Sequence, residues 1–355
     1  MSMQLDDYRL LGRSGLRVSP LCLGTMTFGT TPGWGTEQAE AKSMVDLFIE
    51  RGGNFIDTAN YYGDSEDWLK PMIADRREQL VLSTKYSLSM RAGDPNGAGN
   101  HRKNMVQSVE SSLKRMGIDY IDLMFLHMWD FRTPVEEILR AFDDLVRAGK
   151  ILYGALSDTP AWQVSRMQAI ADLRGWTPFI GLQIPYNLTQ RTVEREYMPM
   201  AREMGIGVLP WSPLAGGVLS GKYSKADLDE KPTEFGANST RKDINKMTGR
   251  LSERNLTIAD EARDIAQEIG VTPAQVALAW TLLNPAVTAP VLGARTLVQL
   301  EDNLGALAVE LSDEHIRRLD EVSRIPLEFP ADIWAGGAWE RMFGGAKVAA
   351  RVPAA

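Results

Sequence analysis

Gly53-Asn54-Phe55-Ile56-Asp57-Thr58-Ala59-Asn60-Tyr61-Tyr62-Gly63, followed by the amphipathic stretch 65–75, decides how this chain reads. A short apolar run ends on an aspartate, turns through small and polar residues, and gives way to a segment of helical period. The next unit repeats the pattern. Leu80-Val81-Leu82-Ser83-Thr84-Lys85 is an apolar run closed by a lysine, and the helical stretch 102–116 follows. In both units a charged side chain stands where a buried strand should end.

Outward from these two units the alternation continues. Strands are expected at 21–24, 54–57, 80–85, 121–127, 151–157, 180–184, 206–211 and 288–292. Helices are expected at 37–51, 65–75, 102–116, 135–148, 161–173, 193–204, 257–269 and 297–306. Thr133-Pro134 and Thr159-Pro160 mark capped helix starts with proline in the first turn. Eight strand–helix repeats predict an α/β fold, a closed (β/α)8 TIM barrel. An open doubly wound sheet is the alternative, and the lack of a Gly-x-Gly-x-x-Gly in a strand–turn–helix setting counts against it. Residues 5–19, with Gly12-Arg13-Ser14-Gly15, predict an N-terminal hairpin at the barrel bottom. Residues 222–252 read as a long charged segment, either a lid or disordered. Thr272–Leu283 reads as an extra C-terminal helix begun by Pro273. The whole of 1–355 reads as one barrel domain with a core over about 9–325 and a tail, 326–355, near the mouth.

The bulk composition fits this picture. Of 355 residues, 44% are hydrophobic and 24% charged, as in a water-soluble globular chain. The net charge of −7 and the lack of a basic run argue against a nucleic-acid partner. Cys22 is the only cysteine, so no intramolecular disulfide or cysteine zinc site can form. The three histidines, His101, His127 and His315, are far apart in sequence, and no metal is expected. No apolar run reaches transmembrane length, and Asp6 and Asp7 do not suit a signal peptide. A cytoplasmic protein with no membrane partner is the expectation.

In a parallel barrel, function gathers at the carboxyl ends of the strands. Asp57, Lys85 and His127 end the second, third and fourth strands, and Tyr62 lies in the loop after the second. A phenol with a pKa of about 10 is a weak acid near neutrality. An ammonium about 4 Å away favours the phenolate by about 4 kcal/mol at intermediate dielectric, a fall of about three in pKa. Asp57 would hold Lys85 and offset the cost of burying its charge. His127 could hydrogen-bond a substrate oxygen or relay a proton to Tyr62. Each residue alone has an ordinary reading, as packing, turn cap or core histidine. Together at matching strand ends they point to proton donation, and that chemistry suits carbonyl reduction.

These motifs resemble the aldo-keto reductase family. The resemblance is carried by Asp57-Thr58-Ala59-Asn60-Tyr61-Tyr62-Gly63, Ser83-Thr84-Lys85 and Leu126-His127. It continues through Gly154-Ala155-Leu156-Ser157, Gln183-Ile184-Pro185-Tyr186-Asn187 and Pro210-Trp211-Ser212-Pro213-Leu214-Ala215-Gly216-Gly217. It runs from about Arg9 to about Ile325, in the long form seen in bacterial members and potassium-channel β subunits. It implies reversible reduction of an aldehyde or ketone with NADPH, NADH being possible. Tyr62 would be the acid, tuned by Lys85 and Asp57, with His127 orienting the carbonyl.

The resemblance also implies a dinucleotide laid across the barrel rim. Trp211 would stack on the nicotinamide, Ser157, Asp158 and Gln183 would face its carboxamide, and Gly24, Thr25 and Met26 would allow close approach. Ser212, Pro213, Leu214, Ala215, Gly216 and Lys222 would hold the pyrophosphate. Gly293 and Arg295 would meet the adenosine 2′-phosphate, with Gln299, Asp302 and Asn303 at the adenine. Two departures stand out. Asp158 occupies a place where relatives carry asparagine or arginine, and Gln299 one where some carry a basic residue. Phe28, Trp34 and Trp129, with Tyr62 and His127, would line an apolar substrate pocket. Two other readings stay open. One is a cofactor-bearing regulatory subunit, against which His127 argues, because the channel subunits have asparagine there. The other is a Schiff-base enzyme using Lys85, which pairing with Asp57 disfavours. The substrate and the oligomeric state are not legible.

Overall fold

The computed structural model describes residues 3–29, 35–231 and 239–348. A two-stranded hairpin, β1 (Arg9–Leu10) and β2 (Arg17–Val18), comes first. The barrel strands follow: β3 (Cys22–Gly24), β4 (Phe55–Asp57), β5 (Val81–Tyr86), β6 (Ile121–Leu126), β7 (Ile151–Ser157), β8 (Phe179–Pro185), β9 (Gly207–Trp211) and β10 (Val291–Gly293). All neighbours pair parallel, in the order β10-β3-β4-β5-β6-β7-β8-β9. Helices α1 (Gln38–Glu50), α2 (Ser65–Ile73), α3 (Arg102–Met116), α4 (Val135–Arg147), α5 (Ala161–Arg174) and α6 (Tyr197–Glu203) pack outside. After β9 come α7 (Ala226–Asp229), α8 (Arg241–Met247), α9 (Glu253–Ile269) and α10 (Pro273–Leu282), and after β10 come α11 (Leu297–Leu304) and α12 (Asp313–Ser323). This is the expected (β/α)8 barrel with an N-terminal hairpin and extra C-terminal helices.

The hairpin seals the bottom of the barrel. Arg13 N–H donates to the carbonyl of Gly205, just before β9, at 2.7 Å. Gly12 has φ +56, and a Cβ there would meet the Ile180 and Gly205 carbonyls at 2.4 and 2.6 Å. Only glycine satisfies both the backbone angle and the approach. Inside the barrel, Leu11, Phe55, Val81, Leu123, Phe125, Ala155 and Leu209 form one apolar cluster. A larger cluster lies between the strands and the helices.

The larger departures from the expected boundaries have local reasons. The eighth strand begins at Val291, not Thr288, because Pro290 has no N–H to pair. Thr288 instead donates to Val208 at 2.8 Å, and Pro290 accepts from Cys22 N–H at 2.9 Å, so the chain joins β9 first and β3 second. The helix expected over 193–204 is a short 3₁₀ turn and then α6, because Pro199 is tolerated only in a first turn. In the charged segment after β9, Thr240 and Asp243 form a capping box that starts α8, and Ser252 caps α9. The tail leaves α12 beside the loop after β8. There Arg195 donates to Glu328 at 2.7 Å and to the Pro326 carbonyl at 2.5 Å.

Candidate active site

Side chains alternate across a strand, so residues two apart share a face. On the lumen side five of the strands run from an apolar residue at the bottom to a rim residue that can hydrogen-bond. Phe55 precedes Asp57 on β4, and Val81 precedes Ser83 and Lys85 on β5. Phe125 precedes His127 at the end of β6, Ala155 precedes Ser157 on β7, and Leu209 precedes Trp211 on β9. Parallel register then levels the rim. Asp57 stands opposite Ser83, Lys85 opposite Phe125, and Ser157 opposite Gln183.

The charged centre is Lys85 with Asp57, both fully enclosed. Lys85 Nζ lies 2.5 Å from Asp57 Oδ2 and donates to the Thr58 carbonyl at 2.9 Å. The other carboxylate oxygen accepts from Ser83 Oγ at 2.8 Å and from Gln183 Nε2, across the barrel, at 3.0 Å. Burial works against the Lys85 charge, but Asp57, the Tyr62 phenol and the hydrogen bond outweigh it, and its pKa ends raised. Lys85 is therefore a cation and not a free nucleophilic amine.

Tyr62 sits over this pair. Its loop continues the β5 pairing, with Asn60 N–H donating to the Lys85 carbonyl at 3.2 Å. The Lys85 ammonium is 5.1 Å from the Tyr62 ring centroid, and the His127 ring meets it edge-on at 5.8 Å. The net shift of the phenol differs from the sequence expectation. Burial pushes it up most, and the Asp57 and Asp158 carboxylates add to that. The charge and hydrogen bond of Lys85 offset only part. The phenol thus keeps its proton at neutral pH. Burial, helped by the Lys85 charge, drives the His127 pKa down to about 3, so its imidazole is neutral. His127 Nδ1 is buried with no hydrogen-bond partner among the described residues.

A buried ion pair behind these residues was not found from the sequence. Glu66 on α2 is enclosed, accepts from Thr84 Oγ1 at 2.5 Å and pairs with Arg115 of α3. Arg115 also donates to the Asn60 carbonyl at 3.2 Å. The pair clamps the Tyr62 loop to β5. Glu66 lies three residues beyond Gly63, inside the expected helix, and its helical position gave no sign of its inward direction.

A second region lies at the carboxyl ends of β9 and β10. A cleft of about 210 Å³ is lined by Ser212, Pro213, Leu214, Gly216, Lys222, Gly293, Arg295, Gln299, Asp302 and Asn303, which are ten of the residues expected at a dinucleotide. Arg241 on α8 lines it too and was missed, because its segment read only as charged. Burial lowers the Lys222 pKa, and Arg295 and Arg241 push it lower still. The positive angles of Gly216 and Gly217 and the crowded cations suit an anion. Gln299 spends its carbonyl on Arg295 N–H at 3.0 Å, and Asp302 accepts from Thr272 and Gln275 at 3.1 Å each.

The remaining expected residues are placed as follows. Ala215 and Ser157 are buried, and Met26 is exposed at the rim. Gly24 has no room for a side chain, since a Cβ would meet Val291 at 2.7 Å. Thr25 Oγ1 bonds the Asp57 carbonyl at 3.1 Å and Ser65 Oγ at 2.6 Å. Asp158 accepts from the Trp211 indole N–H at 3.1 Å. Phe28 is enclosed in the larger core cluster. Trp129 is buried, its Nε1 without a hydrogen-bond partner among the described residues, and packs edge-on to the exposed Phe131 at 6.4 Å. Trp34 lies outside the described residues.

Comparison with known proteins agrees with the barrel fold. Residues 20–324 match the Aldo/keto reductase family. This chain belongs to that family. A norsolorinic acid reductase of Aspergillus flavus is 38% identical, covering 92% of this chain and 83% of the relative. An uncharacterized oxidoreductase of Bacillus subtilis is 37% identical, covering 89% and 95%. An aryl-alcohol dehydrogenase of Pestalotiopsis microspora is 35% identical, covering 92% and 84%. As an aldo-keto reductase the chain is an oxidoreductase, consistent with carbonyl reduction. No helix among the described residues is long and apolar enough to cross a membrane.

Proposed function

We propose that this aldo-keto reductase uses NADPH to reduce an aldehyde or ketone to an alcohol, reversibly, with Tyr62 as the acid. The observation that carries the reading is the Tyr62–Lys85–Asp57–His127 constellation on one rim. The cleft residues Ser212, Leu214, Gly216, Lys222, Arg241 and Arg295 would hold the dinucleotide phosphates, with Trp211 under the nicotinamide. When bound, the cofactor supplies the hydride that reduces the carbonyl carbon.

The chain's own residues manage the oxygen. Neutral His127 donates a hydrogen bond to the carbonyl oxygen and orients it. Tyr62 passes its phenolic proton to that oxygen as charge develops there. The phenolate left behind is stabilised by the Lys85 ammonium, which Asp57 keeps charged and in place. Tyr62 regains its proton from solvent. The exposed Met128 and Phe131 beside His127 favour an apolar, ring-bearing substrate. The names of the Aspergillus and Pestalotiopsis relatives support an aromatic carbonyl. The composition and the family favour a protein of the cytoplasm.

The test is NADPH oxidation across a panel of aromatic and aliphatic aldehydes and ketones. Turnover of at least one aryl carbonyl is expected, with NADH slower. Tight NADPH binding without turnover of any member would favour the regulatory-subunit reading instead.

A further inference from the structure

Asp158 raises a question that the reduction chemistry leaves unanswered. It follows Ser157 at the rim end of β7, close enough to the centre for Lys85 and Tyr62 to feel its charge. An ionised carboxylate has no proton to donate to a carboxamide oxygen. Its backbone is also unusual, with φ +40, a left-handed angle that favours glycine or asparagine. Two backbone hydrogen bonds hold that angle. Asp158 N–H donates to the Gln183 carbonyl, and Trp129 N–H donates to the Asp158 carbonyl, both at 3.4 Å.

This geometry turns the side chain off β7, across the end of β8, to β9. There Oδ1 accepts from Trp211 Nε1 at 3.1 Å. Trp211 is touched by a second charge, since the Arg250 guanidinium lies 5.7 Å from its ring centroid. An indole is electron-poor along its N–H edge and electron-rich over its faces. An anion at the edge and a cation over a face both match that distribution. The two charges come from the β7–α5 turn and from the segment before α9, so two separate parts of the chain hold one side chain.

We infer that Asp158 is a positioning residue whose role is to fix the Trp211 indole as a platform for the nicotinamide ring. The role rests on the nicotinamide reading proposed above. It explains why a carboxylate is tolerated beside the centre, because its Oδ1 is committed to the indole. It also separates two duties that a carboxamide-facing asparagine would combine.

The experiment compares Asp158→Gly and Asp158→Asn in the full chain. Glycine removes the carboxylate while suiting the backbone angle, so a loss cannot be assigned to strain. Asparagine keeps a side-chain oxygen as acceptor. Without cofactor, the Trp211 indole N–H signal, assigned with Trp211→Phe in a proton–nitrogen spectrum, is expected to move upfield and exchange faster in Asp158→Gly. Asp158→Asn should keep it near the wild-type position. With NADPH, calorimetry should show binding about tenfold weaker in Asp158→Gly and restored in Asp158→Asn. In a Trp211→Phe background, Asp158→Gly should change affinity by less than about twofold. An unmoved indole signal, or equal NADPH affinity for Asp158→Gly and wild type, overturns the role alone. A wild-type protein binding neither NADPH nor NADH overturns the functional reading and this role with it.

Discussion

The two halves of the rim are built on opposite electrostatic plans. At β4–β6 the charges are enclosed and matched. Lys85 meets Asp57, whose remaining oxygen takes two further hydrogen bonds, and Glu66 meets Arg115 behind them. At β9–α11 the cleft gathers Lys222, Arg241 and Arg295, and burial together with the two arginines lowers the Lys222 pKa. The difference teaches where each half obtains its order. The first is organised before any ligand arrives, which is what a proton donor needs. The second gathers charges of one sign at its lining, a distribution that suits an anion.

Substitutions should separate the two halves. The largest effect is expected for Lys85→Met, which leaves the Asp57 charge enclosed without a partner. Denaturant unfolding should show a loss of about 3–5 kcal/mol, and reduction should fall to background. A fully stable variant would mean that the matched half is not held by this pair. Tyr62→Phe comes next. Single-turnover reduction should slow by about 10²–10⁴-fold while NADPH affinity is unchanged. Activity within a few-fold of wild type would remove Tyr62 as the acid.

In the cationic half, Arg295→Ala should weaken NADPH by about tenfold and NADH much less. Titrations at two salt concentrations should show NADPH affinity falling with salt, more weakly so in the variant. Equal losses for both cofactors would detach Arg295 from the 2′-phosphate. The last expected effect concerns pH. His127 is held near 3 when folded but takes up a proton near 6.5 when unfolded, so the unfolded chain binds more protons between those values. Its contribution to stability is complete above pH 6.5 and is lost as pH falls toward 3. The slope is at most about 1.4 kcal/mol per pH unit. Urea unfolding at pH 7 and pH 4 should show a smaller acid loss in His127→Gln. The reduction rate of the wild type should show no step near pH 6.5.

Much of the fold was legible because its signals are local. Apolar runs of strand length, helix starts at Pro134, Pro160 and Pro273, and the glycines of the hairpin act over a few residues. The errors were local conflicts read too generously. Pro290 interrupts an apolar run that looked continuous, and Pro199 breaks a helical pattern at its start. The caps at Thr240 and Ser252 were readable but lay hidden in a charged segment. Arg241, Glu66 and Arg115 were illegible for a different reason. Each is an ordinary charged residue on a helix, and only packing decides whether it faces water, a cleft or a buried partner.

By itself, the sequence determined which side chains share the lumen face. The two-residue period of a strand puts Asp57, Lys85, His127, Ser157, Gln183 and Trp211 at the top of one interior without knowledge of the rest. Closure of the barrel decided what those side chains do to one another. It brought Gln183 across to Asp57 and Asp158 across to Trp211. It also buried Tyr62 deeply enough that desolvation outweighs the lysine beneath it. Alternation is a property of the backbone at each residue, whereas desolvation and cross-barrel hydrogen bonds arise only when distant strands enclose the same space.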